Sequence, residues 1–459
     1  MGLAGALARR AAAAPDRTAV VAGEAGLTWL ALDTRARALA ADPALAGAGP
    51  GGRCLVLLPA AADVLTALAA CDRLGATAVI GDPGWPAAVR AAVTGAVEPR
   101  HVLDRVPDAV LDRRPGGTVG PPVAGDARTP WLATCTSGST ATPRAVLRTR
   151  ASWAVSYAPF TTMSGAGPGR TVLVPGPLSG SLFLYGAVHA LVASGRLLLD
   201  PVGTARPWDV AHLVPPQLAA LLGTDHDLAG RTVVVAGAAV RAEVVREARA
   251  RGLEVLAYYG ATELSFVAMG HAGAPLRPFP WVEVEVRDGV LWARSPYVAV
   301  GYLDGRPGGP PGAWRTDAQG WATVGDGGSV DESGGVTVGG RGDQVVRTGG
   351  ATVPVGPVED ALLGLPGIRA AVVVGTPHPE LGEVVTAVLV AELGAEVGSG
   401  PGSGVGALRA RLAAVLPATH LPRRWYAVRA LPVTATGKPA RAAVRDGLAD
   451  GSLGARRLP

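Results

Sequence analysis

Lysine is almost absent from this chain. Of its 42 lysine and arginine residues only Lys438 is a lysine, and the arginines are scattered along the 459 residues without forming a basic run. The net charge of +5 therefore predicts no nucleic-acid partner, although anionic small ligands remain compatible with it. Charge says little beyond this, and the length and apolar content of the chain are what favour a globular enzyme.

Cysteine is also scarce. Cys54, Cys71 and Cys135 form an odd, widely spaced set without a C-x-x-C pair. This argues against a disulfide framework or a zinc site, and it fits a reducing cytoplasm.

Export and membrane signals are missing. Residues 1–21 contain no apolar stretch long enough for export, and we interpret them as a short amphipathic helix. Residues 171–195 carry no Asp, Glu, Lys or Arg, but two prolines and two glycines interrupt their first third. Since the remaining helical part is too short to span a bilayer, we expect a buried helix, a cytoplasmic protein and no membrane partner.

The chain has ample length and apolar content, and 459 residues suit two or more domains. Helical spacing of apolar residues occurs at 28–41, 60–74, 181–194, 207–222 and 241–251. Short apolar runs typical of strands occur at 54–58, 76–80, 170–174, 196–199, 231–236 and 253–257. This alternation predicts a layered α/β fold.

Two changes of pattern follow. Short alternating segments separated by Gly/Pro turns, at 282–286, 290–293 and 334–338, predict an antiparallel β segment. Beyond residue 339 the pattern predicts a small α+β unit with helices at 358–363 and 408–416 and strands at 370–375 and 384–390. The low-complexity residues 394–406 are interpreted as a loop within it.

A loop rich in hydroxyl groups follows an apolar entry at residues 131–133. Its polar residues are Thr136, Ser137, Gly138, Ser139 and Thr140. With Arg144 just beyond, these donors could converge on a phosphate chain, although the loop does not match G-x-x-x-x-G-K-[ST]. A solvated Ser/Thr turn accounts for the same residues, so the loop alone leaves both interpretations open.

Three further groups of residues are suited to a nucleotide. Tyr258, Tyr259, Gly260, Thr262 and Glu263 offer an aromatic plane, a flexible position, a hydroxyl and an oxygen ligand for Mg²⁺. Asp326 and Arg341 add a carboxylate suited to ribose hydroxyls and a guanidinium. Both lie at the junction between the predicted antiparallel β segment and the predicted α+β unit. Lys438 lies in a turn-like segment near residue 459.

Eight short motifs stand in order at residues 134–145, 236–239, 259–263, 298–303, 324–326, 340–343, 373–383 and 437–438. In this order they resemble the motifs of the adenylate-forming superfamily, which includes acyl-CoA synthetases, the adenylation domains of peptide synthetases, and luciferases. The loop resembles T-S-G-S-T-G-x-P-K-G, Tyr259–Glu263 resembles Y-G-x-T-E, and the sole lysine stands where the family has its terminal G-K lysine. The resemblance covers nearly the whole chain.

The resemblance implies two domains, a large one at 1–342 and a small mobile one at 343–459 that rotates about a hinge at Asp343. It also implies two half-reactions with ATP and Mg²⁺. A carboxylate first attacks the α-phosphate to give an acyl-adenylate and pyrophosphate, and a thiol such as that of CoA then displaces AMP.

The resemblance assigns roles to individual residues. Residues 136–140 and Arg144 would hold the phosphates, and Tyr259 would stack on adenine. The other residues that would bind the nucleotide are Gly237, Ala238, Tyr258 and Gly260. Thr262 would contact the α-phosphate, Glu263 would ligate Mg²⁺, and Asp326 and Arg341 would hold the ribose. Lys438 would bridge the substrate carboxylate and the phosphate, where a compact ammonium fits better than a guanidinium fork.

The loop departs from the family pattern at Ala141, Arg144 and Ala145, where the family has glycine, lysine and glycine. A β-carbon at a position that needs positive φ or a close backbone approach distorts a phosphate cradle. We hypothesise that the ATP-consuming half-reaction is impaired while transfer from an existing acyl-adenylate to CoA survives. The retained Lys438 argues against this hypothesis, because that residue serves adenylation.

The acid is expected to be apolar. The resemblance implies that an amino-acid-activating member would hold the α-amino group with an aspartate in this region, and residues 177–186 contain no acidic residue. Gly180, Ser181 and Gly186 beside Phe183 suggest an apolar pocket with room for an aryl, fatty or polycyclic acid. Gly349 and Gly350 resemble the glycine pair that lets pantetheine pass, so CoA is the expected acceptor. A carrier protein, an amine acceptor and a non-catalytic nucleotide or acyl sensor remain alternatives.

Overall fold

The computed structural model describes residues 2–112, 126–136, 143–304, 314–341, 345–349, 351–391, 404–433 and 439–459. The helices are α1 Leu3–Ala13, α2 Trp29–Ala40, α3 Ala61–Leu74, α4 Ala87–Val97, α5 Asp108–Leu111, α6 Arg150–Ser164, α7 Ser181–Val192, α8 Pro215–Leu222, α9 Ala242–Ala250, α10 Val355–Leu363, α11 Val405–Ala413 and α12 Arg441–Ala449.

The strands up to residue 271 are β1 Thr18–Ala22, β2 Ala25–Thr28, β3 Arg53–Val56, β4 Thr77–Ile80, β5 His101–Leu103, β6 Pro130–Cys135, β7 Ala145–Thr149, β8 Thr171–Leu173, β9 Arg196–Leu198, β10 Val210–Leu213, β11 Thr232–Val235, β12 Glu254–Ala261 and β13 Ser265–His271. The strands beyond it are β14 Arg277–Pro278, β15 Glu283–Arg287, β16 Val290–Arg294, β17 Gly301–Tyr302, β18 Arg315–Thr316, β19 Ala322–Thr323, β20 Asp326–Val330, β21 Val336–Arg341, β22 Val345–Thr348, β23 Ala351–Pro354, β24 Ile368–His378, β25 Gly382–Ala391, β26 Arg424–Ala427 and β27 Arg456–Arg457.

Two large sheets carry the first part of the chain. One has nine strands in the order β14-β13-β12-β11-β10-β8-β9-β1-β2, with parallel pairing from β12 through β1. The other has six strands in the order β17-β7-β6-β4-β3-β5. Helices between parallel strands cover their apolar faces, so the predicted α/β layering is confirmed.

Two further sheets follow in sequence. The first has the order β18-β19-β16-β20-β21 with β15 paired to β16, and its strand pairs are antiparallel, as predicted. The second has the order β23-β22-β25-β26-β27 with β24 paired to β25. With α10, α11 and α12 it forms the predicted α+β unit. The domain boundary at residue 342 stays a prediction, because residues 342–344 lie outside the described ranges, as do residues 394–403 of the predicted loop.

One predicted helix, at residues 207–222, is wrong as a single element. The segment is strand β10 followed by helix α8, which begins at Pro215. All four residues of β10 are buried between β8 and β11, so the strand is a continuous apolar run that periodicity cannot distinguish from a buried helix. Pro215 at the first helical position marks the true start of the helix.

Helix α7 lies in the segment without charges that opens at residue 171, and it is 12 residues long. Nine of its residues are buried, as expected for a helix inside a protein. Among the helices of the described ranges, none combines the length and the apolar character needed to cross a bilayer.

An aromatic core packs between α6, α7 and the nine-stranded sheet. Phe160 and Tyr185 meet edge to face with ring centroids 5.3 Å apart, and Phe266 contacts both rings. Two histidines are fully buried here: His189 stacks on Tyr185, and His212 stacks on Phe160. Within the described part of the chain, neither ring nitrogen of His212 has a hydrogen-bond partner.

These histidines predict a loss of stability in mild acid. Burial lowers the pKa of His212 to about 3 and that of His189 to about 4, both from 6.5. Below pH 6.5 the unfolded chain therefore takes up protons that the folded chain does not. Each histidine is expected to cost about 1.4 kcal/mol per pH unit in the free energy of unfolding as the pH falls from 6.5.

Urea unfolding between pH 7.5 and pH 5 measures this slope. His212→Leu should make it shallower, whereas His271→Gln, at an exposed position, should leave it as in the parent. An unchanged slope in His212→Leu would contradict the assignment.

Candidate functional site

Strands β6 and β7 close the base of the hydroxyl-rich loop. The Thr136 amide donates to the Arg144 carbonyl at 3.0 Å, and the Arg144 amide donates to the Thr136 hydroxyl at 3.2 Å. The two ends of the loop are therefore fixed. Ser137, Gly138, Ser139, Thr140 and Ala141 lie outside the described residues.

Ala145 corrects one part of the sequence argument. We expected a β-carbon here to distort the cradle, but Ala145 is the first residue of β7, pairs with Cys135, and has no positive φ. Its side chain is buried in the core beside β6 without the strain that positive φ imposes. Alanine therefore fits this position.

Arg144 is held by a carboxylate and an aromatic ring. Its Nε and Nη2 donate to the two carboxylate oxygens of Asp304, each at 2.8 Å. Its guanidinium carbon lies 3.6 Å from the ring centroid of Tyr302. Hydrogen bonding to Asp304 is the main cause that raises the pKa of Arg144. The cation predicted to hold phosphate thus also joins the loop to β17.

Arg144→Lys, which restores the family residue, is expected to loosen the packing around Arg144. An ammonium cannot form the two-point contact with Asp304 and loses the stacking on Tyr302, at a cost of about 1 kcal/mol. We expect a lower melting temperature but faster ATP–pyrophosphate exchange, because the ammonium shares less of its charge with Asp304. Both are measured side by side, and exchange no faster than in the parent would contradict the idea that Asp304 withholds the charge of Arg144 from phosphate.

The turn between β12 and β13 carries Thr262 and Glu263. It follows a bulge at Gly260, where a β-carbon would lie 2.0 Å from the Ser265 carbonyl oxygen, so only glycine fits. The Thr262 hydroxyl is 3.2 Å from the Ser181 hydroxyl at the first turn of α7. Tyr302 donates its hydroxyl to Glu263 Oε1 at 2.8 Å.

These oxygens suit Mg²⁺. The carboxylate of Glu263 and the hydroxyls of Thr262 and Ser181 are hard oxygen ligands, and Mg²⁺ is commonly held by one or two carboxylates together with substrate phosphates. No cluster of three or more His, Cys, Asp or Glu residues stands in the described ranges, as a dedicated all-protein metal cage would require. The predicted metal ligand Glu263 therefore fits a shared site.

The predicted ribose residues lie across from one another. Asp326 opens β20 and pairs in register with Arg341 of β21, whose side chain is outside the described set. Tyr259 donates its hydroxyl to Asp326 Oδ2 at 2.8 Å. The structure thus brings Tyr259 and Asp326 together and places the backbone of Arg341 beside them.

Tyr258 occupies the opposite face of β12 from Tyr259, as alternation in a strand requires. Its ring packs on Phe266 with centroids 4.7 Å apart, and burial raises its pKa. Tyr258 therefore contributes to the aromatic core, and Tyr259 is the tyrosine at the predicted nucleotide side.

Gly237 and Ala238 are exposed just after β11 and before α9, with Gly237 at φ +89°. Parallel strands β8, β10, β11 and β12 end at the same edge, and this is where α7, the Gly237 turn and the Thr262 turn begin. Ligands of open α/β sheets bind at this carboxyl edge.

The predicted acyl residues lie at the start of α7. Gly180 precedes the helix, Ser181 contacts Thr262, and Phe183 is buried against Gly176. The expectation of room at Gly186 is wrong, because a β-carbon there would lie 2.7 Å from the His212 ring. Position 186 has room only for glycine, because the buried His212 ring packs against its backbone.

Of the remaining predicted positions, the structure describes only Gly349. Gly349 directly follows β22 with φ +55° and donates its amide to the Leu381 carbonyl at 3.0 Å. Gly350, the hinge Asp343 and Lys438 lie outside the described residues. Their roles stay predictions.

Three residues near the turn were given no role by the sequence. Tyr302 and Asp304 follow the apolar segment that precedes β17, and Arg148 is buried in β7. For Arg148 a signal existed: an arginine inside the apolar strand Ala145–Thr149 must have buried partners.

Comparison with known proteins yields matches over most of the chain. The AMP-binding enzyme family matches residues 7–303, and the AMP-binding enzyme C-terminal domain matches residues 357–438. An uncharacterized acyl-CoA ligase, YhfT, of Bacillus subtilis (strain 168) is 29% identical over 353 residues, which cover 70% of this chain and 69% of that protein. A feruloyl-CoA synthase of an Amycolatopsis species is 28% identical over 492 residues, which cover 95% of this chain and 97% of that one.

The fold has a close counterpart among solved structures. ATP-bound MatB from Rhodopseudomonas palustris aligns with a TM-score of 0.85 over 98% of this chain and 99% of that one, at 21% identity. These matches confirm the predicted fold class and the predicted enzyme class, an AMP-forming acid–thiol ligase. The chain belongs to the AMP-binding enzyme family.

Proposed function

We propose that this protein is an acyl-CoA ligase that activates an apolar aryl, fatty or polycyclic carboxylic acid through an acyl-adenylate. The observation that carries the proposal is the Thr262–Glu263 turn. Ser181 from α7 and Tyr302 from β17 meet on it, at the carboxyl edge of the sheet that also carries Tyr259, whose hydroxyl donates to Asp326 of β20.

The proposed chemistry has two steps. An oxygen of the acid attacks the α-phosphorus of ATP, the bond to the bridging oxygen breaks, and pyrophosphate leaves. The sulfur of CoA then attacks the acyl carbon, the bond to the AMP oxygen breaks, the thiol proton is lost to solvent, and AMP leaves. Both steps depend on positioning and on stabilisation of charge.

Each part of the site has a role in this scheme. Tyr259 and Asp326, with Arg341, would hold adenine and ribose. Thr262 would donate its hydroxyl to the α-phosphate, and Glu263 would hold Mg²⁺, which neutralises phosphate charge when bound. Lys438 would stabilise the charge that moves between carboxylate and phosphate.

The lack of charged side chains at the start of α7 supports an apolar acid as the substrate. Residues 177–186 carry no acidic side chain that could hold an α-amino group, and the apolar Phe183 lies in the first turn of α7 with Ser181. Feruloyl-CoA synthase, a relative over nearly the full chain, carries an aryl acid in its name. An aryl acid is therefore the first class to test.

The altered loop supports unequal half-reactions. Arg144 shares its charge with Asp304, so less of it is available to pyrophosphate than from an unpaired cation. We therefore expect slow adenylation and faster transfer from a supplied adenylate. Ala145 no longer contributes to this expectation.

A panel of carboxylic acids and their synthetic adenylates, assayed with ATP and CoA by mass spectrometry, tests the proposal. Thioester should form from at least one aryl or aliphatic adenylate, faster than from the free acid with ATP. A carrier protein and simple amines serve as competing acceptors. Amide as the main product would replace CoA as the acceptor, and no turnover of any adenylate would favour a sensor.

A further inference from the structure

Arg148 is buried where three segments of the chain meet. Its backbone belongs to β7, which pairs with β6 and β17. Its side chain is 1% exposed and reaches the turn after β12 and the segment that precedes β17. It therefore connects the strand below the hydroxyl-rich loop to the Thr262–Glu263 turn.

The contacts of Arg148 are to backbone oxygens. Nη1 donates to the Tyr297 carbonyl at 2.7 Å, and Nη2 donates to the Thr262 carbonyl. The next carbonyl, that of Glu263, accepts from the Ala299 amide at 2.8 Å. Two consecutive carbonyls of the turn are thus held by the segment between β16 and β17 and by Arg148, which fixes the direction of both side chains.

The charge of Arg148 is compensated at a distance. Glu263 is the nearby anion that favours the charged form of Arg148. Burial lowers the pKa of Arg148 to about 10, so it stays charged at neutral pH. A buried charge is expensive, and an apolar side chain of similar size would pack this position at lower cost.

Glu263 has the complementary problem. Glu263 is 6% exposed, and the Tyr302 hydroxyl donates to its carboxylate. Before a metal ion binds, a buried carboxylate needs a positive charge near it. Arg148 and Arg144 supply that charge, and neither is hydrogen-bonded to the carboxylate in the described part of the chain, so its oxygens stay available to a cation.

We propose that Arg148 is a positioning residue that holds the Thr262–Glu263 turn in the geometry that receives Mg²⁺ and ATP. The inference rests on the proposed function. Arg148 acts through the backbone of the turn. Loss of Arg148 should therefore affect the metal-dependent part of nucleotide binding more than the part that depends on Tyr259 and Asp326.

Arg150 offers a matched control two residues further on. It is 8% exposed, and it donates through Nε to Asp72 Oδ1 at 2.8 Å in a buried ion pair. Asp72 lies in α3 and also accepts the Ala4 amide, away from the turn. Arg150→Met therefore removes a buried guanidinium of the same neighbourhood without touching Thr262.

The test compares Arg148→Met, Arg148→Lys and Arg150→Met in the full-length protein. Melting temperature is measured with ATP plus Mg²⁺, with ATP plus chelator, and with AMP. In the parent, Mg²⁺ should increase the stabilisation by ATP. Arg148→Met should lose this increment and keep the shift with AMP, Arg148→Lys should keep part of it, and Arg150→Met should keep all of it on a lower baseline.

Exchange of pyrophosphate into ATP gives a second readout. The Mg²⁺ concentration for half-maximal exchange should rise about tenfold in Arg148→Met, the equivalent of one lost interaction of about 1.4 kcal/mol. A purely structural role would lower the amount of folded protein and leave this concentration unchanged.

The outcomes separate the two proposals. A parent protein without any Mg²⁺-dependent increment overturns the proposed function. A parent with the increment and an Arg148→Met variant that keeps it, or an Arg150→Met variant that loses it equally, overturns the role of Arg148 alone. If Arg148→Met does not fold, Arg148→Lys decides the question, because an unchanged Mg²⁺ requirement in that variant contradicts the inference.

Discussion

Glu263→Gln should reduce Mg²⁺-dependent pyrophosphate exchange by about 10²-fold to 10³-fold, the range seen when one preorganised electrostatic group is removed. The amide has nearly the shape of the carboxylate, and its oxygen can still accept the hydroxyl of Tyr302. The charge that would bind the cation is removed while the packing of the turn remains. Melting temperature should fall only because Arg148 loses its nearby anion, and not because packing is lost.

Exchange is measured across a range of Mg²⁺ concentrations, together with thioester formation from a supplied acyl-adenylate. Glu243→Gln, on an exposed face of α9, is the control and should behave as the parent. Transfer from the adenylate needs no pyrophosphate, so it should be the less affected reaction. Equal loss of both half-reactions would assign Glu263 to general stability rather than to the metal.

The sequence predicted the elements of the site better than the links between them. Thr262, Glu263 and Asp326 could be proposed because each belongs to a short motif, and motif spacing survives without knowledge of the fold. The links join residues far apart in sequence: Tyr302 is 39 positions from Glu263, and Arg148 is 114 positions from Thr262. Periodicity reports which face of a strand is buried and carries no information about the partner across a junction.

The errors in the fold have the same origin. The four buried residues of β10 were assigned to a helix, because an apolar run that is buried on both faces has no period of its own. Gly186 was interpreted as open space, although His212 from β10 fills it. A glycine in the sequence indicates that the position has no room for a side chain. Only the structure shows whether a ligand or a neighbouring ring occupies that space.

Ala145 illustrates a third limit. A resemblance transfers the family residue, but it does not transfer the backbone conformation that made the residue necessary. At Ala145 the strand begins immediately, so the conformation is extended and alanine is unstrained. The departure at Arg144 is different in kind, because the replacement is accompanied by a carboxylate partner, Asp304, in the same structure.

Lys438→Ala should lower pyrophosphate exchange by about 10²-fold or more, because a positive charge aimed at the reacting oxygens acts mainly in the transition state. The sole lysine of the chain stands at this position, whereas every other basic side chain is arginine. Lys438→Arg should not rescue the activity, since a guanidinium keeps the charge but not the compact shape. Rescue by arginine would show that charge alone suffices.

The selectivity of this loss is the sharper test. If Lys438 serves the first half-reaction, thioester formation from a supplied adenylate should change by no more than about threefold in Lys438→Ala, well under the 1.4 kcal/mol that a tenfold effect represents. Arg445→Ala, on the exposed side of α12, controls for a nonspecific effect of losing a charge in the same part of the chain. An equal fall in both half-reactions would place Lys438 on the adenylate itself, and no fall in either would leave the sole lysine without a catalytic role.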